Sequence, residues 1–215
     1  MSECCENKSF DGVSPAYKRA LIAVIIINGI MFGIEFAAGY LSGSQALKAD
    51  ALDFAADSVT YAISLAVIGS ALIIRARAAL LKGLSLSAMA IFVLISTAIS
   101  FFDATPPEAS TMGWVGFLAL AANLFSVVIL LRWRDGDSNV RSVWLCSRND
   151  AIGNIGVIIA GGLVAVTQSA IPDLIVAAIL AGLFFRSSYS IIGQALEESG
   201  GWRNAVGLSQ VGESK

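Results

Sequence analysis

The sequence predicts an all-α, polytopic membrane protein with six transmembrane helices and both termini in the cytoplasm. Hydrophobic residues make up 56% of its 215 residues and charged residues only 14%, whereas soluble chains carry about 25% charge. The apolar residues form six continuous runs of about 20 residues or more, the length that a helix needs to cross a hydrocarbon core. Continuous runs, in place of short alternating segments, exclude a transmembrane β-barrel.

The six apolar runs define the domain organisation. We predict a cytoplasmic N-terminal tail over 1–19, a six-helix transmembrane domain over 20–192 and a short cytoplasmic C-terminal tail over 193–215. The predicted helices span 20–41, 47–74, 83–102, 112–131, 143–168 and 171–192.

The orientation follows from the basic residues. Eleven of the fourteen Lys and Arg residues fall in the two tails and in the connections between helices 2 and 3 and between helices 4 and 5. The opposite connections, 42–46, 103–111 and 169–170, contain none. Because positive charge is retained on the cytoplasmic side, both termini are expected there. The eleven are Lys8, Lys18, Arg19, Arg75, Arg77, Lys82, Arg132, Arg134, Arg141, Arg203 and Lys215.

Composition also narrows the function. A net charge of −2 argues against a nucleic-acid partner. With no histidine in the chain, imidazole acid–base chemistry and haem ligation by His are excluded. No nucleophile–base pair or cofactor motif is apparent, so we expect neither an enzyme nor a prosthetic group. Cys4 and Cys5 are adjacent on the polar tail, where they are either unstructured or capture soft metal ions.

The informative residues are the ionisable ones inside the predicted helices, because each is costly in a bilayer unless it faces a polar cavity or a partner. Two pairs are four residues apart and therefore share a helical face. One pair lies on helix 2 and the other on helix 5, which run in opposite directions, so both can meet near the middle of the bilayer. The residues are Asp53 and Asp57, Cys146 and Asp150, and the additional acids Asp50 and Glu35.

Three carboxylates and one thiolate suit a tetrahedral divalent cation. Without a cation the same acids repel one another and take up protons, so the set fits a metal/proton exchanger. Asp50 and Glu35 are expected to support the site or to relay protons. Two alternatives stay open: a proton-coupled transporter or channel for a non-metal solute, and a scaffold subunit whose acids form an inert polar seam.

Two segments resemble the signatures of the cation diffusion facilitator family. The first is residues 49–57, Ala-Asp-Ala-Leu-Asp-Phe-Ala-Ala-Asp, and the second is residues 146–156, Cys-Ser-Arg-Asn-Asp-Ala-Ile-Gly-Asn-Ile-Gly. The resemblance covers about residues 17–198. It implies a six-helix transporter that exports Zn²⁺ or a similar divalent metal in exchange for protons, usually as a homodimer, with Asp53, Asp57, Cys146 and Asp150 as metal ligands.

Two departures from the family pattern affect these expectations. Cys146 occupies a position that the family usually fills with His or Asp, and a thiolate favours Zn²⁺ and Cd²⁺ over Mn²⁺. We also expect a short form without the family's C-terminal cytoplasmic metal-binding domain, so that dimerisation depends on the helices alone. The expected location is the bacterial inner (plasma) membrane, in contact with lipid.

Overall fold

The computed structural model describes residues 14–66, 72–103, 105–133 and 138–198. For residues 72–78, 138–146, 148–149, 194 and 197–198, the description covers the backbone and not the side chains. Cys4 and Cys5 lie outside the described residues. The described residues form helices and connecting segments without a strand, which confirms the all-α class. The long helices are α1 (Pro15–Ser42), α2 (Gln45–Ala66), α3 (Leu72–Asp103), α4 (Ala109–Leu130), α5 (Ser138–Thr167) and α6 (Ile171–Glu198).

Helices α1 and α2 form a tight antiparallel hairpin. Helix α1 begins where the Ser14 side chain accepts a hydrogen bond from the Tyr17 backbone N–H at 3.2 Å. It ends at Gly43, whose φ of +76° is a left-handed conformation that glycine adopts without strain. A Cβ on Gly39 would lie 2.9 Å from the Lys48 backbone nitrogen, so the close approach of the two helices requires glycine there.

Several helices extend beyond their predicted ends. Helix α3 begins at Leu72 instead of 83, α5 at Ser138 instead of 143, and α6 continues to Glu198 instead of ending at 192. Residues 72–74, predicted as the end of helix 2, belong to α3. Arg75, Arg77, Lys82 and Arg141 therefore belong to helices and not, as predicted, to connections. The predicted helices 3 and 5 begin after these cations, but a membrane helix can include Lys and Arg because their long side chains can reach the membrane interface.

Five helical segments of the described chain are long and apolar enough to cross a membrane. They are Pro15–Ser42, Ala79–Asp103, Ala109–Trp133, Asp150–Thr167 and Ile171–Gly193. The predicted membrane location is thereby confirmed. Helix α2 is not among these segments, because Lys48 and three aspartates lie within its 22 residues. The sixth span and the orientation of the termini stay predictions.

The packing explains how a helix as polar as α2 is accommodated. Helix α2 contacts α1, α3, α5 and α6, so neighbouring helices surround it on several sides. By contrast, α1 exposes a stripe of isoleucines at four-residue spacing, as expected of a face turned to lipid. The stripe consists of Ile22, Ile26, Ile30 and Ile34.

The three connections that contain no Lys or Arg lie at the same end of the bundle. The Glu108 backbone N–H donates to the Ser42 carbonyl at 3.0 Å, which joins the start of α4 to the α1–α2 turn. From the first turn of α6, the Asp173 carboxylate accepts hydrogen bonds from Ser44 Oγ at 2.6 Å and from the backbone N–H groups of Gln45 and Ala46 at 2.8 and 3.1 Å. Asp173 thus caps the N-terminus of α2 from a different helix.

Candidate metal centre

Helix α2 supplies three acids to the candidate centre. Asp50, Asp53 and Asp57 follow at helical spacings of three and four residues, which places them on adjoining parts of one face. Asp50 is only 2% exposed, while Asp53 and Asp57 are half-buried.

Helix α5 brings Asp150 to the α2 acids. Its carboxyl group lies within hydrogen-bonding reach of the carboxyl groups of both Asp53 and Asp57. Three of the four predicted ligands therefore come together, from two helices that are far apart in the sequence. The fourth, Cys146, has its side chain outside the described part of the structure.

The three carboxyls are adjacent but do not form a finished coordination shell. Within the described residues, no group of three or more His, Cys, Asp and Glu side chains is arranged to hold a metal ion. The proximity of Asp150 to Asp53 and Asp57 is thus a convergence of potential ligands. Their assignment as metal ligands, like that of Cys146, stays a prediction.

A buried chain of hydrogen bonds runs from the acids of α2 through α5 to α4. Asn154 Nδ2 donates to Asp50 Oδ2 at 2.6 Å, and Asn123 Nδ2 donates to Asn154 Oδ1 at 2.9 Å. All three side chains are 2% exposed or less. Sequence reasoning did not single out Asn154, although it lies four residues after Asp150 and therefore on the same helical face.

Glu35 on α1 adjoins this chain of hydrogen bonds at Asp50. Its side chain is fully buried and interacts with the Asp50 carboxyl group. Neither carboxyl oxygen of Glu35 forms a hydrogen bond of normal geometry. The structure thus brings together the two acids that were predicted to support the site or to relay protons, while that role stays a prediction.

Two further side chains approach Asp57 from the direction in which α2 ends. The Tyr61 hydroxyl donates a hydrogen bond to Asp57 Oδ2. Lys82 of α3 donates from Nζ to Ser64 Oγ at 2.9 Å and is close enough to interact electrostatically with Asp57. Sequence reasoning missed Tyr61, which extends the four-residue spacing of Asp53 and Asp57, and it placed Lys82 in a connection instead of a helix.

Fold and centre together define a polytopic helical membrane protein with a cluster of carboxyls where α2 and α5 meet. The family model of the cation efflux transmembrane domain matches residues 21–72 and 74–198. The chain therefore belongs to the cation efflux family, and the resemblance to the cation diffusion facilitators is confirmed. It is a member of a family of membrane transporters.

Named relatives support this membership. The chain is 28% identical over 190 residues to the "Cadmium, cobalt and zinc/H(+)-K(+) antiporter" of Bacillus velezensis, a match that covers 81% of this chain and 60% of the relative. It is 25% identical to the zinc transporter ZitB of Pectobacterium atrosepticum, covering 84% of this chain and 60% of the relative. Against the metal cation efflux system protein CzcD of Cupriavidus metallidurans, the identity is 27%, covering 78% of this chain and 56% of the relative. The matched region spans about three fifths of these relatives.

Proposed function

We propose that the protein exports a divalent metal cation, Zn²⁺ or Cd²⁺, from the cytoplasm in exchange for protons. The observation that carries this proposal is the convergence of Asp150 with Asp53 and Asp57 at the contact between α2 and α5. Three carboxyls in a membrane-embedded bundle form a locus for a divalent cation or for the protons that replace it. Membership in the cation efflux family supports the same conclusion.

In this proposal, six helices cross the membrane and both termini are cytoplasmic. Asp53, Asp57, Cys146 and Asp150 bind the metal as transported substrate, and Asp50 and Glu35 carry protons or support the site. Alternating access opens the site to one side at a time through movement of the helices that carry the ligands. The protein acts as a homodimer.

Metal uptake into everted membrane vesicles tests the proposal. Everted vesicles expose the cytoplasmic face, so export from the cytoplasm is measured as accumulation inside. With an acidic vesicle interior, we expect uptake of Zn²⁺ and Cd²⁺ but not of Mg²⁺, a hard cation that dehydrates reluctantly and prefers octahedral oxygen ligands. Vesicles from cells that lack the protein are the control. Uptake of every divalent cation at the level of these control vesicles would contradict the proposal.

A further inference from the structure

Asp57 differs from the other predicted ligands because the phenolic hydroxyl of Tyr61 donates directly to its Oδ2 atom. Tyr61 lies one helical turn beyond Asp57 on α2. The Asp57 carboxyl group is therefore situated between the Tyr61 hydroxyl and the Asp150 carboxyl group.

The ring of Tyr61 is held firmly by apolar packing. Its side chain is 1% exposed and belongs to a cluster with Leu21 and Val24 of α1 and Leu130 of α4. A buried aromatic ring in such a cluster cannot change rotamer without repacking its neighbours. The hydroxyl is thus a donor whose position is fixed by three helices.

A hydrogen-bond donor held in place on one carboxylate oxygen sets the orientation in which the other oxygen can bind a cation. With Oδ2 engaged by Tyr61, the plane of the Asp57 carboxylate is set and Oδ1 is left free of this bond. Tetrahedral sites use each ligand in a defined direction, and outer groups that hydrogen-bond to the ligands provide this orientation.

We infer that Tyr61 is a positioning residue of the metal centre: its hydroxyl orients Asp57 for the metal ion and thereby raises the affinity for the transported cation. The inference rests on the proposed function, in which Asp57 is a metal ligand. Tyr61 itself does not touch the metal, and its ring additionally fills the apolar cluster beneath the centre.

The test is Tyr61→Phe in the full-length protein, since phenylalanine fills the same space and removes only the hydroxyl. Loss of a group that orients a metal ligand typically costs about 10–100-fold in metal affinity or activity. We expect the dissociation constant for Zn²⁺, measured by calorimetry in detergent, to rise by about 10-fold or more. The half-saturating Zn²⁺ concentration of vesicle uptake rises in parallel, while the rate at saturating Zn²⁺ stays close to that of the unmodified protein.

A further variant separates positioning from packing. Tyr17→Phe removes a hydroxyl from a ring in the same cluster, and its Zn²⁺ affinity is expected to match that of the unmodified protein.

Unchanged or tighter Zn²⁺ binding by Tyr61→Phe would overturn the inference, as would an equal loss in Tyr17→Phe. These results differ from a failure of the proposed function itself. In that case the unmodified protein would neither bind nor transport a divalent cation, whereas the inference is refuted when the unmodified protein is active and Tyr61→Phe behaves like it.

Discussion

Asp150 is the residue that joins the two halves of the candidate centre, because its carboxyl group reaches both Asp53 and Asp57. Three carboxylates so close together repel one another when no cation or proton lies between them. Substitution of individual acids therefore separates a site that exchanges cations from an inert polar seam.

Asp57→Ala and Asp150→Ala are each expected to abolish metal uptake into everted vesicles. Removal of one ligand from a four-ligand site takes away both charge and geometry, so activity falls to the level of vesicles that lack the protein. Asp103→Ala is the matched control, since Asp103 is an exposed carboxylate at the end of α3. Uptake by either ligand variant at the rate of the control would refute the assignment, provided that melting temperatures show all three proteins to be folded.

Cys146→Asp is expected to change the selectivity and not the existence of transport. The substitution removes the one soft ligand of the predicted set and adds a hard one, so preference for Cd²⁺ over Mn²⁺ falls. Zn²⁺ stays a substrate because it also accepts carboxylate oxygen. The measurement is the ratio of Cd²⁺ to Mn²⁺ uptake at equal concentrations. An unchanged ratio would exclude the sulfur atom from the metal's ligands.

At the scale of residues, the sequence predicted which acids come close together but missed several of their hydrogen-bond partners, including Tyr61 on the same helix as Asp57. The spacing of Asp53 and Asp57 defines a face without any structure. The bonds from Asn154 to Asp50 and from Lys82 to Ser64 join positions on different helices. Neither bond follows from periodicity, because it depends on how α5 and α3 are rotated against α2.

Among the helical elements, α2 is held at its N-terminus by α6. Asp173 accepts two backbone N–H groups from the first turn of α2 and a third hydrogen bond from Ser44. These N–H groups have no partner within their own helix, and a carboxylate also interacts favourably with the positive end of the helix dipole.

Asp173→Ala is expected to lower the melting temperature of the protein and to loosen the start of α2. Each buried donor left without an acceptor costs about 1–3 kcal/mol. Hydrogen–deuterium exchange should therefore accelerate at residues 45–48 more than at the centre of α4. The melting temperature is measured by tryptophan fluorescence in detergent.

Glu108→Ala is the matched control for this effect. Glu108 is also a carboxylate beside a helix N-terminus, but it is exposed. The hydroxyls of Thr111 and Ser110 donate to it and hold the pKa of its carboxyl group below its usual value. Because water replaces these contacts readily, we expect little change in melting temperature. Equal shifts in the two variants would contradict a specific capping role for Asp173.

Hydropathy located the helices well but misplaced several of their boundaries and started helices 3 and 5 too late. The predicted helices 3 and 5 begin after Lys82 and Arg141, whereas both residues are already part of the helical backbone of α3 and α5. Caps predict ends more reliably where they exist. Ser14 with Pro15 starts α1 and Gly43 ends it, both by local chemistry that can be seen in the sequence.

For the whole molecule, the arrangement places its most polar helix among the others. Helix α2 contacts four other helices, while apolar side chains such as Ile30, Phe92 and Ile179 are more than half exposed on the helices around it. The bundle thus turns an apolar surface to lipid and encloses the acids of α2. Composition alone predicted a membrane protein. The arrangement with the polar helix inside and apolar side chains outside follows only from the packing of complete helices.

Such an enclosed centre predicts competition between metal and protons, because a carboxylate cannot bind both at once. Metal binding at neutral pH should release protons, and the apparent affinity for Zn²⁺ should weaken as the pH falls. The chain has no histidine to contribute to this response. It therefore has to arise from the carboxyl groups of the centre or from Cys146.

Proteoliposomes that contain a pH-sensitive dye provide the measurement of coupling. When metal and protons use the same carboxylates in turn, a proton gradient directed against the metal flux drives net metal transport. We expect Zn²⁺ uptake to be accompanied by proton efflux from the liposome, to accelerate when the lumen is acidic and to slow when an ionophore collapses the gradient. Liposomes with the Asp150→Ala protein should show neither flux. Zn²⁺ uptake without proton movement, at the same rate with and without a pH gradient, would exclude antiport and leave a facilitated metal carrier.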